Sequence, residues 1–194
     1  MPRIFLTLAL FLTFYGYLSA QNLDLPTFNH ANLDHQKAAM LTLGGWAVTN
    51  IAIGAALQGR AEGSTKHFHR MNALWNTVNL GIAGLGYFAA MKTDPAGLGL
   101  ATSLQKHHAF QKVLLFNAGL DIGYIAGGLY LTERAKRPDV NQDQLKGFGQ
   151  SVMLQGTFLF FFDLVNYFIA SGRDSQLPVL LGTTGDGIGL SFVF

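Results

Sequence analysis

LLFNAGLDIGYIAGGLYL, residues 114 to 131, is an apolar run that holds Asp121 near its middle and no Lys, Arg or His. A helix needs about 20 such residues to cross a bilayer. A carboxyl group at that depth is expected to face other helices and not lipid, because an ionised Asp there costs about 2.5–3.5 kcal/mol even on the lenient insertion scale. Working outward, four segments share this length and lack of cations: residues 38–57, 73–91, 113–131 and 149–170. They predict an all-α, four-helix transmembrane bundle.

The whole chain agrees with that class. Of its 194 residues, 49% are hydrophobic and 12% charged, against about 25% charged in an ordinary soluble domain. Thirteen basic residues and 11 acidic ones give a formal charge of +2 with no dense basic face, so nucleic acid is not an expected partner. There is no cysteine, which excludes disulfides and thiolate chemistry.

The start, MPRIFLTLALFLTFYGYLSA, has Arg3, a short apolar stretch, then Ser19 and Ala20. This is the layout of a signal peptide cut after Ala20, with an uncleaved first helix as the alternative. The expected organisation is signal peptide 1–20, exported polar segment 21–36, transmembrane domain 37–171 and exported tail 172–194. In the tail, a turn-rich TTGDG precedes an alternating run to Phe194, which suggests a short β-hairpin or an extended strand. Basic residues lie slightly more densely in the loops after the first and third spans, which places those loops inside and both mature termini outside. The expected location is a bacterial cell envelope, in the inner membrane rather than the outer.

Two halves of the chain align. WAVTNIAIGAALQGRA (46–61) lies on LDIGYIAGGLYLTERA (120–135) without a gap, pairing Gly54 with Gly128. Further on, Tyr87, Phe88 and Ala90 match Tyr167, Phe168 and Ala170. A duplication would make two helical hairpins of like orientation.

The polar side chains inside the spans are Asn50, Asn76, Asn79, Asn117, Asp121, Gln155, Asp163 and Asn166. At 1.5 Å per residue, Asp121 and Asp163 fall at similar depths below the exported edge. Asn117, Asp121, Tyr124 and Gly128 form one stripe of their helix, and Asp163, Asn166 and Tyr167 one stripe of theirs. Two readings stand. These groups are interhelical glue, at about 0.6 kcal/mol per hydrogen bond, or the carboxyl pair handles a proton or small cation.

On another side of the third span, Gly119, Gly123 and Gly127 recur every four residues. Such a ladder permits close helix contact, either inside the bundle or at a homodimer or complex seam. His30, His35, His107 and His108 are candidate ligands for a metal, or alternatively solvated interfacial anchors. His67 and His69 would share a metal only on extended backbone, since a spacing of two separates them on a helix. Thr102 or Ser103 is the expected cap of the helix leading into the third span. No cofactor is indicated, and no catalytic motif such as a Walker loop or nucleophile elbow occurs.

The strings WAVTNIAIG, RMNALWNTVNLGIAG, NAGLDIGYIAGG and LQGTFLFFFD resemble an uncharacterised family of small bacterial membrane proteins with a signal sequence and four helices. The resemblance covers about residues 30–170 and implies location and architecture, with no activity attached. It places Trp75, Asn76, Asn79, Asn117, Asp121, Gln155 and Asp163 inside the shared blocks. The expected function is a non-enzymatic membrane protein whose polar centre holds the bundle and binds a small cation or proton. The alternatives are an ion-coupled, transporter-like protein using Asp121 and Asp163, or an accessory subunit docked through its third helix.

Overall fold

The computed structural model of the chain describes residues 24–178 and Leu180. The expected signal peptide and the expected β-hairpin after Thr183 lie outside the described residues. Four long helices run in chain order: α1 Leu25–Gln58, α2 Gly63–Lys92, α3 Leu100–Arg134 and α4 Gln142–Ser171, followed by a 3-10 turn at Asp174–Gln176. No strand occurs among the described residues.

Local chemistry sets the helix ends. Asp24 caps α1 by accepting a 2.9 Å hydrogen bond from the Thr27 amide, and that bond holds its carboxyl below the usual range. Asn141 caps α4 in the same way through the Gln144 amide. Between α2 and α3, Asp94 accepts from the Ala96 amide across a turn that contains Pro95, which cannot continue a helix. The expected cap at Thr102 or Ser103 is not used. Helix α3 starts earlier, after Gly99, and the Ser103 hydroxyl instead donates back to the Gly99 carbonyl at 3.0 Å. Gly63 opens α2 with a φ of 55°, a backbone state glycine adopts without a Cβ penalty.

All four helices are longer than the expected spans. Residues 25–37 continue α1 and residues 100–112 continue α3, so the segment expected as an exported polar stretch is mostly helix. Helix α1 packs along α2, α3 along α4, and the two hairpins join through α2 against α4. A Cβ on Gly54 of α1 would lie 2.7 Å from the His69 carbonyl oxygen and 2.9 Å from the Ala73 Cβ of α2. A Cβ on Gly128 of α3 would lie 2.6 Å from the Gly149 oxygen and 2.8 Å from the Met153 nitrogen of α4. Gly54 and Gly128 are paired by the sequence repeat. Their partners, His69 with Gly149 and Ala73 with Met153, are separated by the same offset as Tyr87 and Tyr167. The hairpins therefore close on the same contact.

Helices α1, α3 and α4 are long and apolar enough to cross a membrane. Helix α2, expected to span as well, is long enough but not apolar enough by composition, because Asn72, Asn76 and Asn79 occupy its buried face. Large apolar side chains cover the outside: Leu85 is 78% exposed, and Phe116, Tyr130 and Phe168 are each 67% exposed. Such a surface suits hydrocarbon better than water. The ion pairs of the described residues, Lys37–Asp34, His107–Asp174, Arg134–Asp139 and Lys136–Glu133, all lie toward helix ends.

Candidate functional site: an amide ring and a carboxyl pair

The buried polar residues separate into two chemically different groups. The first joins α1, α2 and α4. Trp46 Nε1 donates to Gln155 Oε1 at 2.9 Å, and Gln155 Nε2 donates to Asn72 Oδ1. Asn72 Nδ2 donates to Asn50 Oδ1 at 2.8 Å, and Asn50 Nδ2 returns to the Trp46 carbonyl at 2.9 Å. Each amide gives one bond and takes one, so the ring closes on itself. Asn76 extends it by donating to the Asn72 carbonyl at 2.8 Å, and Asn79 reaches Asn76 Oδ1 at 3.4 Å. The Trp46 indole also stacks on Phe158, with centroids 3.9 Å apart.

The second group joins α3 and α4. The Asp121 and Asp163 side chains lie beside each other, close enough for their carboxyls to interact. Two carboxyl groups at close range away from water resist carrying two negative charges without a cation to balance them. Asp121 is 2% exposed, and its Oδ2 accepts from no N–H or hydroxyl of the described residues. No cation of the described residues pairs with either group. Both carboxyls line a cavity of about 620 Å³ together with Asn79 and Asn117. The cavity lies mainly between α2 and α3, which touch little because each packs on another helix. Tyr124, from the stripe that carries Asp121, lines it too and meets Trp75 of α2 edge-on at 4.9 Å.

Other expected site residues fall elsewhere. Asn166 turns to α1, where its Oδ1 accepts from His35 Nε2 at 2.9 Å, and Arg173 donates to His35 Nδ1 at 3.1 Å. His107 faces Asn32 Oδ1 at 3.2 Å and Asp174 Oδ1 at 2.7 Å, while Gln111 donates to the same Asp174 oxygen at 2.8 Å. His30 is exposed, and His108 lies 3.4 Å from Gln111 Oε1. These histidines do not converge: no three His, Asp or Glu side chains among the described residues could hold one metal ion. His67 and His69 sit on helical backbone, so the extended geometry a shared metal would require is not met.

Gly119, Gly123 and Gly127 do not pack inside the bundle. A Cβ at any of them would meet nothing within 4 Å. The buried stripe of α3 runs through Ser103, His107, Gln111, Leu114, Ala118, Asp121 and Gly128, which puts the glycine ladder on another side. Sequence reasoning missed Asn72, Trp46, Gln111 and Asp174. For Asn72 a signal existed, since it precedes Asn76 and Asn79 by four and seven residues on one helical face.

Fold and site together define a helical bundle able to sit in a membrane, with a carboxyl pair at an apolar cavity. The chain belongs to a family of unknown function, DUF6992, which matches residues 42–164 and so includes both the ring and the pair. No curated protein and no solved structure matches the chain.

Proposed function

We propose that this is a non-enzymatic integral membrane protein of a bacterial envelope in which all four helices span, with both ends exported, and in which Asp121 and Asp163 bind a proton or a small cation. Helix α2 crosses with its neighbours because its asparagines are satisfied inward, against α1 and α4, and its outer face carries Leu74, Val78 and Leu85. The observation that carries the reading is the carboxyl pair itself. Its two members lie side by side, pair with no cation among the described residues, and border a cavity. The amide ring supplies the structural glue and leaves the pair free for another use.

Infrared spectroscopy of the protein in lipid tests this. A carboxylic-acid C=O stretch is expected at neutral pH, lost when Asp121→Asn and Asp163→Asn are combined. A spectrum without that band in native protein stripped of metal ions would mean that both groups are ionised with neither a proton nor a cation bound, and the reading fails. A second reading, an accessory subunit or homodimer seated on α3, is favoured by the uncovered Gly119, Gly123 and Gly127. Gly123→Cys is expected to form a disulfide-linked product in membranes; a product of monomer size alone counts against it.

A further inference from the structure

The cavity beside the carboxyl pair is more specific than a proton site requires. Its volume of about 620 Å³ falls in the range of small-molecule pockets, about 300–1,000 Å³. Its walls include Met71, Leu74, Val78, Phe110, Val113 and Phe162, all apolar. Its polar residues are few: the acids Asp121 and Asp163, the amides Asn79 and Asn117, and Trp75 and Tyr124 with one polar group each. Asn117 makes no hydrogen bond among the described residues, and Asp121 Oδ2 receives none. The carboxyl pair is the acidic end of a largely apolar cavity, with no cation of the described residues beside it.

The mouth is informative as well. Leu74, Val78, Ile82 and Val113 line the cavity and are 55%, 63%, 52% and 54% exposed. The opening thus lies on the apolar outer face of the bundle, between α2 and α3. A molecule entering there comes from the hydrocarbon layer.

We infer that the cavity binds a lipophilic amine: an apolar organic cation whose ammonium group rests on Asp121, Asp163 and Asn117 while its body lies against Met71, Leu74 and Phe110. This rests on the reading of the carboxyl pair as a cation site, and it names the cation's class. An ammonium has N–H donors for several acceptors and one positive charge to match the pair. The rings of Trp75 and Tyr124, both at the cavity wall, add aromatic faces, and a ring face attracts a cation. An inorganic ion would satisfy the carboxyls but leave most of the apolar volume without an occupant. A neutral lipid chain would fill the volume but bring neither donor nor positive charge to the carboxyls.

The test uses the full chain in lipid nanodiscs, dialysed against 2-(1-naphthyl)ethylamine or its neutral counterpart 2-(1-naphthyl)ethanol, with empty nanodiscs correcting for partition into lipid. The amine is expected to saturate at one per chain and to bind about tenfold tighter than the alcohol, or more. Combining Asp121→Asn with Asp163→Asn should abolish that preference. Leu43→Trp, at a buried position of the cavity wall, should weaken amine and alcohol alike by about tenfold while the carboxylic-acid band persists. Equal retention of amine and alcohol, or undiminished binding in Leu43→Trp, overturns the inference. If the infrared band is present but no amine is retained, the carboxyl reading stands and this one falls. If the native chain lacks the band as well, both fall.

Discussion

The two hairpins close on equivalent glycines and then diverge. Gly54 and Gly128 each bring a helix against the backbone of its partner. Applying the same offsets, Ala47 of α1 stands where Asp121 stands in α3, and Ala83 of α2 where Asp163 stands in α4. Both alanines are buried, at 0% and 3% exposure. The first hairpin thus packs with two methyl groups at the level where the second carries two carboxyls. Packing of a hairpin does not call for acids at this level. Their presence in one hairpin alone argues that they serve something other than helix association.

The comparison is broken most severely at the glycines. Gly54→Leu and Gly128→Leu each drive a side chain into backbone atoms of the partner helix, which a rotamer change cannot relieve. The expected loss is about 3 kcal/mol for each, at the upper end of the usual range for overpacking, measured by reversible unfolding in mixed detergent. Near-equal losses support like hairpins; a large inequality means the two crossings are not equivalent. Next comes the amide ring. Gln155→Leu leaves Trp46 Nε1 without its acceptor and Asn72 Oδ1 without its donor. The expected loss is about 1–3 kcal/mol, since interhelical hydrogen bonds in membranes average about 0.6 and reach about 1.7 kcal/mol. The Trp46 fluorescence should shift at the same time.

Much of this architecture was legible because a bilayer constrains sequence strongly. Every spanning segment must be long, apolar and free of unpaired cations, and the central polar residues then stand out against that background. Depth along a helix follows from a rise of 1.5 Å per residue, which is why Asp121 and Asp163 could be assigned one level without knowing how α3 and α4 cross. Beyond the apolar segments the constraint ends. Residues 25–37 and 100–112 are polar, and they are helical partly because they hold one another: Phe28 packs on His107, and Asn29 donates to the Pro95 carbonyl at 3.0 Å. Asn72 is hard to read from sequence because Arg70 and His69 beside it resemble a loop, although its side chain bonds into the ring. The cavity had no sequence signal at all. Leu74, Val78 and Val113 look the same on a flat apolar face as at a cavity wall, and only the packing of α2 on α1 and of α3 on α4 sets them around one space.

The next effect is smaller in stability but decisive for the comparison. Combining Asp121→Ala with Asp163→Ala gives the second hairpin the first hairpin's chemistry. Removing both members of the pair leaves neither carboxyl behind without its partner, so the expected change in stability is within about 1 kcal/mol. The carboxylic-acid band and the amine preference should both disappear. A loss of several kcal/mol with those signals gone would instead assign the pair to holding α3 on α4.

The smallest effect is expected at the helix end where His107 and Gln111 meet Asp174. The Asp174 side chain is 44% exposed, so water and salt screen its attraction for the imidazole, and a pair of that kind contributes about 0–1 kcal/mol. Asp174→Asn retains an oxygen that can accept from His107 Nε2 or Gln111 Nε2 and removes only the charge. Stability should therefore fall by less than about 1 kcal/mol, and the difference from native should shrink further in high salt. Amine retention at the cavity should not change, because His107 and Asp174 are absent from its lining. If Asp174→Asn weakened the amine as much as the loss of both central carboxyls does, the site would have to extend from the cavity to the helix ends, and the separation between carboxyl pair and end cluster would not hold.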